Sequence, residues 1–441
     1  MGPILTSLMK IEGPTSNMHS LSRIGGEKIR ERDRLFQLLV NQDAISALID
    51  KRTIGLLDRI GVRSPYLSEV LIMTLAEFPH LREELIGIGK LEGAKNPDSM
   101  RTELDAFMEG AETFEQQRDM MRFYKSREIL RIGLTHIIER KGTQVSRELA
   151  TLGKTLLSKA CEVSDPNKRP GYAILVRGSY SRGATSFHSD LDIICVGSDD
   201  VLEYGEITSR VKGLMGSLSR DQDDEEESEG ILARRSLTCR YDIDTSTNPG
   251  DELFVTEKDF VNSLMSTRTN ALSRLKALEF RFVAGDRKFA ERVLHATQEA
   301  VLGRQDGIVE AIDERVENHA SEVTRLNYVC LSARLTGLVD SVGVMPSLAE
   351  LMIKGYLDRN QYVRAEESFD RLMFFRNEAM LRYGYPFISR PNGPPEDLKA
   401  RTEYARGLGY AGVTELDSEY LTNHAALEAI REIIKARIKI G

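Results

Sequence analysis

The chain has 441 residues, 41% hydrophobic and 29% charged, with 34 glycines and 13 prolines. At roughly 150 residues per domain that is material for two or three folded cores, and it excludes a collagenous or broadly disordered protein. The net charge of −8 and the absence of Trp do not suit a protein that grips nucleic acid through phosphates and stacked bases, so no nucleic-acid partner is expected. No apolar run approaches the ~20 residues of a membrane span, and the first residues lack the basic-then-apolar pattern of a secretory signal. Cys161, Cys195, Cys239 and Cys330 lie too far apart for a CxxC metal knuckle or a disulfide scaffold. A cytoplasmic protein with no membrane contact is the expectation.

Residues 1–26 are rich in Gly, Ser and Met and read as a flexible lead-in. Helical spacing of apolar residues follows over Arg32–Ile49, Pro65–Phe78 and Met120–Ile138. Ser64 and Pro65 form a start signal for the second of these. Loops are expected near Ala94–Ser99 and Lys141–Thr143. After the turn-rich Asp165–Gly171, Tyr172–Val176 and Asp190–Val196 read as buried strands, with Cys195 as an apolar spacer. Val201–Leu218 reads as a helix. The run Asp221–Glu229 holds seven acids, which account for most of the net charge, and reads as a solvated loop over 220–230. Ser236–Asp244, which contains Cys239, reads as a third strand. From Glu257 onward the pattern is helical, interrupted at Tyr385–Pro395. These elements predict an α+β fold, predominantly helical, with a small mixed sheet flanked by N- and C-terminal α-helical domains. The expected divisions are 27–143 (N-terminal helical), 144–303 (sheet-bearing, catalytic) and 304–441 (C-terminal helical).

Chemistry concentrates between Val176 and Ile193. The first strand ends in Gly178-Ser179, which offers bare backbone amides and a hydroxyl to phosphates, and Gly178 lets the backbone approach closely. The second strand begins with Asp190 and Asp192, which share a face because strand side chains alternate. Two adjacent carboxylates repel each other unless a counter-charge is present, and divalent magnesium supplies one. A two-metal site takes a further carboxylate from a neighbouring element, and the third strand offers Asp242 and Asp244. Arg182 is a candidate for triphosphate charge. His188 stands beside the Asp pair, but the histidines are scattered and form no HExxH motif or His-Asp doublet.

This pattern is similar to the nucleotidyltransferase superfamily that includes DNA polymerase beta. Within it, the chain resembles one half of glutamine synthetase adenylyltransferase, the bifunctional enzyme that adds and removes AMP on a tyrosine of glutamine synthetase. Arg63–Leu71 is similar to that family's "SPYLA" helix, and Ser126–Gly133 resembles its "RRxEMLRIA" segment. Tyr241-Asp242-Ile-Asp-Thr resembles "RVDLRLRP", a register that selects Asp242 as the third metal-binding aspartate. Leu278–Asp286 looks like the "ARPVAGD" helix end, and Arg401–Tyr410 with Leu421–Ile433 resembles the closing helices. Three departures stand out. Asp244 and Ser246 occupy the arginine positions of "LRLRP". The stretch Ala320–Val329 lacks the glycines and acids of "GGIRDIEF". Gly178–Gly183 is closer to "GGYGRGE" of PII uridylyltransferase than to "GMGKLGG".

The resemblance implies a polymerase-beta-like core in which Asp190, Asp192 and Asp242 bind two magnesium ions and carry catalysis. Gly178, Ser179 and Arg182 would bind the nucleotide, with ATP as substrate. The implied reaction moves AMP to a protein tyrosine hydroxyl, or removes it by phosphorolysis. Glutamine synthetase is the implied protein substrate and a PII-type protein the implied regulator. Two other readings stay open: an idle nucleotide-binding module, and a nucleotidyltransferase for another protein or a small molecule.

Overall fold

The computed structural model describes Ile60 and residues 64–81, 84–85, 93–187, 189, 191–198, 201–218, 239–240, 254–265, 271–303, 322–383 and 398–438. The readings made for 1–26, Arg32–Ile49, the acidic run and Tyr385–Pro395 lie outside these residues. Helix α1 (Pro65–Glu77) starts as Ser64-Pro65 predicts: Ser64 Oγ accepts from Leu67 N at 3.1 Å and donates to Leu381 O at 2.9 Å. Its cap therefore also ties the helix to a distant part of the chain. In α2 (Pro97–Met108), Asn96 caps Ser99 N at 2.8 Å, so the loop expected over 94–99 closes at Asn96. A Thr113/Gln116 capping box opens α3 (Phe114–Glu139), which ends at Arg140 in the left-handed region, φ 56°.

The loop expected over 141–143 is also shorter, since α4 (Gly142–Ser164) begins at Gly142. Lys141 offers no side-chain cap. Instead the carboxylate of Asp370 accepts from Thr143 N at 2.8 Å. A free amide in a first turn needs an acceptor, and here it comes from 227 residues away.

A five-stranded mixed sheet follows. Strand β1 (Tyr172–Val176) leads through a short helix, α5 (Gly178–Arg182), to β2 (Leu191–Gly197), and α6 (Val201–Leu218) follows. Strand β3 (Cys239–Arg240) and strand β4 (Phe254–Thr256) run parallel to β2 along its outer edge. Helices α7 (Glu257–Met265) and α8 (Ala271–Ala277) come next, then β5 (Arg281–Gly285) and α9 (Arg287–Leu302). Strand β1 is central and antiparallel to both β2 and β5. The C-terminal region consists of α10 (Glu322–Leu335), α11 (Val344–Ile353), α12 (Arg359–Tyr383), α13 (Leu398–Leu408) and α14 (Val413–Ile438).

Strand β5 corrects the sequence reading, which took everything after Glu257 as helical and Leu278–Asp286 as a helix end. Pairing with β1 holds Arg281–Gly285 extended. The five residues are too few to outweigh the helices on either side. Strand β4 was likewise not expected. Of the third strand expected over Ser236–Asp244, the described part is Cys239–Arg240.

Alternation along β1 and β2 sends side chains into two cores. Tyr172, Ile174, Val176, Ile193 and Cys195 pack with residues of α3, α4 and α6. Ala173, Leu175, Ile194 and Val196 pack with residues of α7, α8, α9 and α10. A third core joins Ala184 to α10, α11, α12, α13 and α14. Cys161, Cys195 and Cys330 are buried free thiols, each with its pKa pushed up by burial.

The Ser126–Gly133 stretch proves to be a buried ionic knot. Glu128 is fully enclosed and accepts from Lys95 Nζ, Arg127 Nη1 and Arg131 Nε, each at 2.8 Å. Arg131 also pairs with Glu148 of α4. Removing one partner of such a buried set leaves an uncompensated charge, so the knot fixes α3 against α4.

Helix α4 also meets α12 in direct backbone contact. A Cβ built on Gly142 would fall within the van der Waals radii of Phe374 N and Asp370 O. Gly142→Ala should therefore destabilise the protein by about 1–3 kcal/mol through overpacking. Gly205→Ala in α6, where a Cβ meets nothing within 4 Å, should stabilise it by about 0.5–1 kcal/mol. Urea unfolding of the two variants should show opposite shifts.

Candidate active site

The site begins where β1 ends. Arg177 N donates to Asp192 O at 3.1 Å, carrying the β1–β2 pairing one residue beyond the strand. The Arg177 guanidinium lies over the Phe280 ring, 5.9 Å from its centroid. The chain then turns at Gly178, with φ +70°, a conformation that disfavours any side chain. A Cβ at Gly178 would also sit 2.5 Å from Asp192 Oδ2. The position is therefore glycine for two independent reasons, and the Asp192 carboxylate lies against bare backbone. Asp192 is half-buried and alternates with the buried Leu191 and Ile193.

Gly178, Ser179 and Arg182 fall on α5, a five-residue turn of helix closed by Gly183. Ser179 is half-buried; the Ser181 hydroxyl donates to Gly178 O at 2.8 Å. Arg182 is not a free cation. Its Nη1 donates to both oxygens of Glu279, at 2.9 and 2.7 Å. Glu279, only 1% exposed, also accepts from Gly178 N at 3.2 Å and from Asn327 Nδ2 at 2.7 Å. One buried carboxylate thus holds both ends of α5 and the side chain of Asn327 on α10. An ionised carboxylate in a sealed position needs such donors.

Sequence reasoning had not singled out Glu279 or Asn327. Glu279 lies within Leu278–Asp286, where a lone carboxylate interrupts an apolar run. Asn327 lies within Ala320–Val329, the stretch already notable for its missing motif. Asp286, from the first of these, has a structural role. It caps Lys288 N and Phe289 N and accepts from Gly171 N at 3.1 Å, and the Gly171 bond is the main cause holding its carboxyl below the usual range.

Asp190, Asp242 and His188 lie outside the described residues, as do Asp244 and Ser246. The structure therefore brings together Gly178, Ser179, Arg182 and Asp192. Among the described residues, no group of three or more His, Cys, Asp or Glu side chains could hold a metal ion. The Asp192 carboxylate is a hard oxygen donor, the type magnesium takes.

Residues 55–202 match the family model of glutamate-ammonia ligase adenylyltransferase. Glutamate-ammonia ligase is glutamine synthetase, so the match agrees with the resemblance drawn from the motifs. The adenylyltransferase-like stretch runs from before α1 to the start of α6 and includes Gly178, Ser179, Arg182, Asp190 and Asp192. Asp242, Glu279 and Asn327 lie beyond it. Comparison with curated proteins gave no match. Among the described residues, no helix is long and apolar enough to cross a membrane.

Glu279→Ala should lower the unfolding free energy by about 3–5 kcal/mol, because it leaves Arg182 and Asn327 facing a hole. Glu279→Gln, which keeps the shape and one acceptor, should lose less. Chemical denaturation of both variants measures the difference, and equal losses would count against the charge as the source.

Proposed function

We propose that the chain is a magnesium-dependent nucleotidyltransferase that moves AMP between ATP and a tyrosine hydroxyl of glutamine synthetase, or removes it by phosphorolysis. The observation that carries this reading is the fit of Gly178 against Asp192 at the end of β1, inside the stretch that matches the adenylyltransferase family. The absence of a side chain at Gly178 lets the Asp192 carboxylate lie against the turn that ends β1, where a magnesium ion held by Asp192 could bring a phosphate to the same turn.

Asp192 would hold magnesium together with Asp190 and Asp242. Magnesium, when bound, offsets charge on the attacking and leaving oxygens of an in-line displacement. The chain's own residues supply position. Glu279 fixes Gly178 N, and through Arg182 it fixes the far end of α5. Ser179 is left half-buried beside the turn, where its hydroxyl can donate to a phosphate oxygen. Control of glutamine synthetase would call for a nitrogen-sensing partner of the PII type.

One observation favours an idle nucleotide-binding module as the second reading. Arg182 is already engaged by Glu279, and the arginines that the family places after the third aspartate are replaced here by Asp244 and Ser246.

Incubation with magnesium and ATP labelled at the α-phosphate, with glutamine synthetase from the same organism, separates the readings. The synthetase should become labelled by the wild-type chain and not by Asp192→Asn. If the chain works in the reverse direction, pre-modified synthetase and phosphate should instead yield ADP, again lost in Asp192→Asn. Nucleotide binding with neither reaction would favour the idle module. No binding and no reaction would contradict both.

A further inference from the structure

Phe187 lies between α5 and β2 and takes no part in the site built so far. It stands just ahead of the strand that carries Asp192. A connecting segment normally runs over the surface, where water satisfies its backbone. This one is buried: Ala184, Thr185, Ser186, Phe187 and Ser189 are all enclosed. The segment meets part of the polar cost by itself. Ser186 N donates to Ser189 Oγ at 2.9 Å, Ser189 N donates to Ser186 O at 3.0 Å, and the two hydroxyls lie 2.9 Å apart. The Tyr180 hydroxyl of α5 donates to Ser189 O at 3.4 Å.

These bonds run between near neighbours in the chain. They fix the shape of the segment and not its place in the molecule. Its place comes from side chains at its two ends. Ala184 packs into the C-terminal core. Phe187, nearer the aspartate strand, packs into the other large core, where its ring meets two others edge-on. The Tyr66 ring of α1 lies 6.3 Å away at 61°, and the His136 ring of α3 lies 6.3 Å away at 74°. His136 is fully enclosed and stacks on Phe374 of α12, centroids 5.1 Å apart. Its Nε2 lies 3.3 Å from Glu378 Oε2 of the same helix. The cap of α1 is tied to α12 as well, through Ser64 Oγ and Leu381 O. Phe187 therefore sits in a socket made by α1 and α3 and backed by α12.

Beyond the socket the chain enters β2 at the fully buried Leu191. Asp192 follows, with its carbonyl on Arg177 N and its carboxylate against Gly178. Edge-on ring pairs have a preferred geometry beyond their buried area, and an aromatic ring has few torsions to absorb a shift. Magnesium demands near-ideal octahedral geometry, and groups that orient its ligands from behind change metal affinity by about 10–100-fold.

We infer that Phe187 is a positioning residue. Seated between Tyr66 and His136, it sets where β2 begins and so where the Asp192 carboxylate stands beside Gly178. Its use in holding magnesium rests on the nucleotidyltransferase reading; the seating itself does not.

The test compares Phe187→Leu with Phe123→Leu in the full chain. Phe123 is as deeply buried in the same core, with its ring against Phe78 and Phe107. Each variant removes one ring from that core, so a merely structural role would move both alike. Hydrogen exchange at the Arg177, Ser186 and Ser189 amides reads the segment without any ligand. These amides should exchange about tenfold faster than wild type in Phe187→Leu and change less than about threefold in Phe123→Leu. Calorimetric titration of ATP over a magnesium series reads the second half of the inference. The magnesium concentration for half-maximal ATP binding should rise about tenfold in Phe187→Leu and hold in Phe123→Leu. At saturating magnesium the ATP affinity of Phe187→Leu should return to near the wild-type value. Should Phe187→Leu not fold, Phe187→Met, which refills the socket with a flexible chain, takes its place in both measurements. Equal exchange in the Phe187 and Phe123 variants, or faster exchange with an unaltered magnesium requirement, would overturn the inference. If exchange rises only in the Phe187 variant but the wild-type chain binds no magnesium-ATP, the seating stands and the nucleotidyltransferase reading fails.

Discussion

Glu279 enters from the turn between α8 and β5 and closes on three donors: the amide of Gly178, the guanidinium of Arg182 and the side-chain amide of Asn327. Almost wholly enclosed, it is stable only while those donors stay in place. The constraint works in both directions. The carboxylate needs the turn at the end of β1, and the turn needs the carboxylate to keep Gly178 beside Asp192. Because Asn327 comes from α10, the same bond carries the C-terminal region to the sheet edge where the chemistry is proposed.

The rest of the fold supports that edge. The central position of β1, with β2 and β5 on either side, brings the starts of both partner strands to the end of β1. Apolar faces bury the sheet on both sides and leave the strand end as the place where polar groups collect. Farther out, the Glu128 knot locks α3 to α4, and the backbone contact at Gly142 locks α4 to α12. Helix α12 is thereby fixed against α4.

The parts of the fold legible in the sequence are those with local causes. Short apolar runs bounded by turn residues marked β1 and β2, a Ser-Pro pair marked the start of α1, and helical spacing marked Val201–Leu218. The illegible parts have distant causes. Strand β5 is extended because β1 pairs with it, and its five residues carry little period of their own. The start of α4 depends on Asp370, 227 residues away. The role of Glu279 depends on partners 101, 97 and 48 residues away. Gly178 and Asp192 were readable because close backbone approach and strand alternation both leave a local trace. Arg182 was readable as a cation near phosphate, but not as one half of an ion pair. The "RRxEMLRIA"-like segment shows how a motif can be structural: its charges are buried with one another in the α3–α4 contact.

The central claim is that the glycine-lined end of β1 holds a magnesium nucleotide. Calorimetric titration of ATP into the full chain and into Gly178→Ala, with magnesium and with a chelator, tests it most directly. The account predicts saturable, magnesium-dependent binding to the wild type. Gly178→Ala should bind at least tenfold more weakly, because its Cβ meets the Asp192 carboxylate, while its melting temperature changes by only a few degrees. Equal ATP affinity in the two proteins, or no magnesium-dependent binding to the wild type, would contradict the account.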